Sequence, residues 1–383
     1  MVLPCPERLI GEAFFALVIY MKEPLKQYKT IEEQIEILKE RGCIISDVSS
    51  ARETLSKVNY YRLTAYFLPF IDKDSIEKKY VKSTTFEKIV ALHEFDRKLR
   101  SLLLQALDHI EITLRERLAR AHIENHNRNP IAYLNIENFS FTDTIEEKDK
   151  KYKKVKKTKK ENEQYFLKTI CDKISQNKRN FLIKQLDEKV IKKLEQGVND
   201  CKELKLPFWV IVEFLSFGEL SRLYTNLQED DRNRIAEQFI PEYISGKTRR
   251  EYLENWFHCC SNLRNRCAHL GVLYNNNSFT PTPKGFKNTN ISKSLWAFIL
   301  VIKWLHPYSD EWHEEFIPQI KILMDKYSKD IDLKHFSFPD KWEEELGKSQ
   351  KSSLEENVKR YILNKNKRYK KKKLVQKTHM DIA

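Results

Sequence analysis

The sequence predicts an all-α protein, on three observations. Only eight glycines occur in 383 residues, too few for a turn-rich β fold or a glycine-lined nucleotide fold. Charged residues make up 32% and hydrophobic residues 41%, with 21 Phe, 17 Tyr and 6 Trp, which suits amphipathic helices around a sizeable core. Apolar residues recur at helical spacing through Thr84–His122, with no glycine or proline before Pro130.

Taken in order, Leu9–Tyr20 is apolar for twelve residues but contains Glu12. It falls short of the about 20 residues a spanning helix needs. Residues 1–20 therefore read as an upstream extension or accessory helix, and the protein as soluble and cytoplasmic, with no membrane partner. Seven cysteines without repeated spacing fit a reduced, intracellular chain better than a disulfide framework. Thr30–Arg41 forms a helix closed by Gly42, and Asp47–Val58 a second, leading into the aromatic run Asn59–Phe70. These helices and the long one make an N-terminal part over 21–142. Thr84 and Glu87 have capping-box spacing at the start of the long helix.

Residues 143–163 are a lysine-dense insertion, expected as a mobile segment or a helix-end extension. The chain then returns through a helical part over 164–345. Its helices are expected at about 164–194, at Leu206–Gly218 with Gly218 as the stop, and at Glu219–Leu227, Asp230–Phe239, Arg249–Leu270, Asn290–Leu305 and Asp310–Tyr327. A polar, basic tail occupies 346–383. The formal net charge of +14 sits in two places: residues 148–160 carry +8, residues 365–377 carry another +8, and the rest is left at −2. Lys153, Lys154, Lys156 and Lys157 in the first run, and Lys370, Lys371, Lys372 and Lys373 in the second, are the candidate contacts to RNA.

The motif with chemical content is Leu263-Arg264-Asn265-Arg266-Cys267-Ala268-His269, at the end of a helix stopped near Gly271. Asn265 and His269 are i,i+4 neighbours, a spacing that lets the amide orient the imidazole. Arg264 lies about 140° round an ideal helix from His269, and a loosened last turn would bring the two together. Such a pair suits RNA cleavage: histidine exchanges protons with the 2′-hydroxyl or the leaving 5′-oxygen, and arginine braces the phosphate. No metal or cofactor is required. One histidine cannot serve as base and acid in a single step, so a homodimer presenting two copies is expected.

The sequence also resembles the Abi (abortive infection) proteins, of AbiD/AbiF-like type, over about Lys22–Tyr327. The likeness rests on Lys29–Gly42, Asn59–Pro69, Leu206–Gly218 and Leu263–Asn275, four blocks in order. The resemblance implies a HEPN-like helical bundle with a metal-independent R-x4-6-H endoribonuclease site, with Arg264 and His269 catalytic and Asn265 orienting. It also implies a toxin of phage defence or of a toxin–antitoxin system, held in check by a small RNA.

Four further readings accompany it. Arg117 and His122, with Arg115, repeat the R-x4-6-H spacing at the end of the long helix. They form a possible second site, or else basic residues that complement the helix dipole. Glu213 is a candidate partner for Arg264, or a surface residue. Tyr60, Tyr61 and Arg62 suit stacking on bases less well than packing. His258, Cys259, Cys260, Cys267 and His269 lack zinc-ligand spacing, so no metal is expected there. The alternative function is a non-catalytic RNA-binding or sensor protein using the same helix.

Overall fold

The computed structural model describes residues 27–356, apart from 143, 149–152, 178, 186–187, 198–200, 277 and 287–288. Residues 1–20 and the tail lysines Lys370–Lys373 lie outside the described residues. The architecture is helical, as expected, with one two-stranded hairpin. The chain divides into two compact units, before and after the His93–Glu94 junction.

In the first unit, α1 (Ile31–Glu40) opens on a Thr30/Glu33 capping box and ends at Gly42, where φ is 86°. Helix α2 (Val48–Lys57) is capped by Asp47, and α3 (Tyr60–Phe67) by Asn59. Ile35, Leu38, Ala51, Leu55, Leu63, Tyr66 and Phe67 form the buried face of these helices. The long helix α4 (Phe86–Asn125) begins one residue later than its sequence signal suggests. Thr85 accepts from the Lys88 N–H and acts as the cap, while Glu87 accepts instead from the Ser46 N–H. The Thr84/Glu87 spacing thus serves to hold a loop, because Ile44 pairs with Thr85 as a parallel bridge and draws that loop alongside.

In the second unit, the described residues of the lysine insertion form a hairpin and then the start of the next helix, at Lys159, so its last residues are a helix-end extension. Strand β1 (Thr144–Lys148) pairs antiparallel with β2 (Lys153–Lys157), in the register Thr144 to Lys157 and Lys148 to Lys153. Lysine density signals solvation but says nothing of pairing, so the hairpin was not legible. Helices α5 (Lys159–Asn177) and α6 (Glu188–Glu195) follow.

The block Leu206–Gly218 holds one helix and the start of another. α7 (Phe208–Phe214) stops at Leu215, and a Ser216/Glu219 capping box starts α8 (Phe217–Asn226), with Gly218 in its first turn. Gly218 allows close packing and is not a stop: a Cβ there would sit 3.3 Å from Ser261 Oγ. The core of this unit is built by α8, α9 (Glu229–Glu237), α10 (Gly246–Ala268) and α11 (Leu295–Leu305). Every residue of α11 is buried, including Lys303, whose ammonium donates to the Glu345 carbonyl at 2.6 Å. A π-turn over Trp312–Phe316 leads into α12 (Ile317–Lys326), and α13 (Trp342–Gly347) closes the described chain. Among the described residues, no helix is long and apolar enough to cross a membrane.

Candidate functional site

The candidate site is built on α10. This helix is capped at its start by Ser245 and buries Tyr252, Leu253, Trp256, Phe257, Cys259, Cys260, Leu263 and Cys267. Its opposite face carries Glu251, Glu254, Asn255, His258, Ser261, Asn262 and Asn265 at helical spacing. Together with Ser221, Arg222 and Lys284 these residues line a polar cleft of about 400 Å³. His269 follows Asn265 by one turn, as the exposed C-cap, with φ −89° and ψ 20°.

The helix ends in a Schellman closure. The Leu270 N–H bonds to the Cys267 carbonyl at 3.1 Å, and the Gly271 N–H bonds to the Arg266 carbonyl at 2.7 Å. Leu270 takes the left-handed position, with φ 59°. Glycine usually fills that position, and a leucine there costs about 1–2 kcal/mol. Gly271 is required for a different reason: a Cβ would lie 2.6 Å from Arg266 Cγ and 3.0 Å from the Arg266 carbonyl oxygen.

Two acid–arginine pairs on α4 brace this helix end. Asp96 and Arg100 are buried and 2.5 Å apart. The Asp96 carboxylate accepts the N–H groups of Leu273 and Tyr274 at 3.0–3.2 Å, and Arg100 donates to the Gly271 carbonyl at 3.3 Å. Further along α4, Glu111 meets Arg115 at 2.5 Å, and Arg115 also donates to the Val212 carbonyl. The second oxygen of Glu111 lies 3.7 Å from Arg264 Nε. One carboxylate thus stands between two guanidinium groups, leaving a surplus positive charge beside a half-exposed Arg264.

This corrects the expected partner of Arg264. Glu213 faces solvent from α7, and Glu111 supplies the carboxylate. Asn265 also has a different partner from the one its spacing suggests: its amide oxygen accepts from Arg264 Nη1 at 3.4 Å. The only link between Asn265 and His269 among the hydrogen bonds of the described residues is a backbone one, at 2.9 Å.

Arg117 and His122 occupy the interior side of α4, not an open phosphate site. The His122 ring is fully buried, pairs through Nδ1 with Asp231 at 2.8 Å, and stacks near Phe139 and Phe208. Arg117 lies over the Phe239 ring at 3.9 Å, and burial lowers the basicity of its guanidinium. Asp231 has its other oxygen bonded to Asn125 at 2.7 Å, so both its oxygens are engaged. The dipole reading of these basic residues gives way to interior packing, with a buried His122–Asp231 hydrogen bond and Arg117 over an aromatic ring.

The cysteines beside the motif are interior residues. Burial pushes the Cys267 thiol up to about 12 and raises Cys259 and Cys260 well above the usual thiol range, which disfavours the thiolates that a zinc ion would need. Burial and the Arg222 charge lower the basicity of His258, in the cleft. Lys153, Lys154, Lys156 and Lys157 lie on β2.

Sequence reasoning missed Asp96, Arg100, Glu111 and the cleft residues Arg222 and Lys284, and weighed His258 only as a zinc ligand. The signal for the first three was present as i,i+4 acid–arginine pairs inside an otherwise apolar helix. The cleft was foreshadowed by the polar stripe Glu251–Asn265. A family model described as Abi-like protein matches residues 53–275, over half of the chain, and this span contains α4, the polar cleft apart from Lys284, and the Arg264–His269 helix end. Nothing among curated proteins or solved structures matches the chain.

Proposed function

From the premise that this chain belongs to the Abi-like protein family, which supports a role in abortive infection, we propose that it is a metal-independent endoribonuclease of HEPN type. The observation that carries this reading is a half-exposed Arg264 and an exposed His269 on the same end of α10, with the Arg264 guanidinium held near Glu111. His269 takes the proton of an RNA 2′-hydroxyl as its oxygen attacks phosphorus. Arg264 neutralises the charge that builds on the phosphoryl oxygens. The 5′-oxygen leaves with a proton from a second acid, and the products carry a 2′,3′-cyclic phosphate and a 5′-hydroxyl. His269 of a second copy is the natural donor, which makes a homodimer the working form.

The lysines of β2 and Lys370–Lys373 hold the RNA backbone electrostatically. A small RNA occupying the same surface would restrain the activity. Glu111 limits the positive charge around Arg264 and fixes its approach, so it is a positioning residue.

The test is cleavage of single-stranded RNA without added metal by wild type, His269→Ala and Glu111→Gln. Loss in His269→Ala with RNA binding retained supports the reading. Equal cleavage by wild type and His269→Ala overturns it, and binding without cleavage by either protein assigns the helix to an RNA clamp.

A further inference from the structure

Away from α10, His109 on α4, His306 after α11 and Glu311 before the π-turn converge. One ligand atom from each lies within 4.8 Å of the others. His109 Nε2 stands 3.0 Å from Glu311 Oε2, and the two imidazole rings meet edge to face with centroids 5.4 Å apart. We propose that these three residues bind one divalent zinc-class cation, as a two-histidine, one-carboxylate site that ties the middle of α4 to the far end of α11.

The orientation of His306 fits that role. Its Nδ1 contacts the Tyr308 backbone, 2.9 Å from the carbonyl oxygen and 3.4 Å from the amide nitrogen, so the main chain holds the ring by that nitrogen. Metal-bound histidines are characteristically held in this way, the distal N–H donating to a carbonyl or carboxylate. His306 is buried, so its ring is held in place by the packing around it.

The space is suitable as well. The cluster opens on a cavity of about 40 Å³, also lined by Gln105, Glu315 and Gln319, enough for an ion and a water. Tetrahedral zinc bonds of ~2.0–2.1 Å require ligand atoms roughly 3.3 Å apart, so small rotations of the half-exposed His109 and Glu311 side chains suffice to close the set. The chain beside Glu311 runs as a π-turn through Trp312–Phe316, a local distortion that recurs at ligand sites. A hydrogen-bonded His109–Glu311 pair alone gives no reason for a His306 ring nitrogen to lie within 4.8 Å of both partners. The ion would clamp the turn of α4 that also carries Glu111, and it takes no part in cleaving RNA.

The experiment uses the untagged full-length chain, stripped by chelator and titrated with Zn²⁺ by calorimetry and with Co²⁺ by absorption. Wild type should take up one equivalent of each ion, and the Co²⁺ spectrum should lack a thiolate charge-transfer band. Affinity should fall at least ~10-fold in His109→Ala and in Glu311→Gln. Glu311→Gln is isosteric at a half-exposed position, so it keeps the test valid if His109→Ala fails to fold. Absence of binding by the folded wild type, undiminished binding by Glu311→Gln, or a thiolate band would each overturn the proposal.

Discussion

Arg264 is the residue whose surroundings say most about its work. Its guanidinium shares one buried carboxylate, Glu111, with Arg115. Removing that carboxylate leaves two cations facing each other and frees Arg264 to rotate. Glu111→Gln should therefore slow RNA cleavage about tenfold or more, whereas Glu213→Gln, exposed on α7, should leave both rate and stability within about 0.5 kcal/mol of wild type. Equal effects of the two substitutions in a cleavage assay would contradict this assignment. Lys303 permits a second test on a single side chain. Burial pushes its ammonium down to about 8 from an ordinary 10.5. Below about 8 the amine is charged in both states and the folded state bears the whole desolvation cost. Between about 8 and 10.5 the unfolded state holds the proton more often, so stability rises with pH, by about 3 kcal/mol at most. Urea titrations of wild type minus Lys303→Met across that window should show this rise, and a flat difference would refute it. The position of Arg264, Asn265 and His269 at one helix end was legible in the sequence, whereas the side-chain bond of Asn265 to Arg264, and not to His269, was not. Glu111 and Glu213 were not distinguishable, because which carboxylate reaches Arg264 depends on how α4 and α7 present their faces to α10.

Among the helices, α4 works as a brace for the end of α10. The buried Asp96–Arg100 pair takes two N–H groups and one carbonyl from the chain that follows the left-handed Leu270. Asp96→Ala strands a buried arginine and two backbone donors, so it should destabilise the protein by about 3–5 kcal/mol in urea unfolding. A loss under about 1 kcal/mol would show that the bracket is dispensable. Gly271→Ala should also destabilise, since its Cβ meets Arg266 at 2.6 Å and the backbone at 3.0 Å. Helix positions were largely legible from apolar periodicity. Their ends were less so, because caps compete: Thr85 displaced Thr84, and Ser216 opened a new helix where Gly218 looked like a stop. The hairpin over Thr144–Lys157 was hidden because a run of lysines masks the backbone pairing beneath it.

For the molecule as a whole, charge and chemistry occupy different places. The two lysine runs carry more than the entire +14, and the rest of the chain is at −2. Polar and buried-charge devices in that near-neutral body build the helix end that bears Arg264 and His269. Deleting residues 365–383 should then weaken RNA binding and flatten its salt dependence, by about 0.7 in log–log slope for each single-strand phosphate no longer neutralised. An unchanged slope would exclude the tail from binding. The two lysine runs were legible from composition; the contribution of α4 to the site was not, since more than 150 positions separate Glu111 from Arg264. Proton transfer by His269 is the step on which the proposed activity depends. It is probed most directly by the chemistry of the RNA ends produced without added metal by wild type and by folded His269→Ala. Wild type should leave 2′,3′-cyclic phosphate and 5′-hydroxyl ends, and the variant should cleave at least ~100-fold more slowly with RNA binding unchanged. Wild-type rates in His269→Ala, or 5′-phosphate ends from wild type, would contradict the assignment.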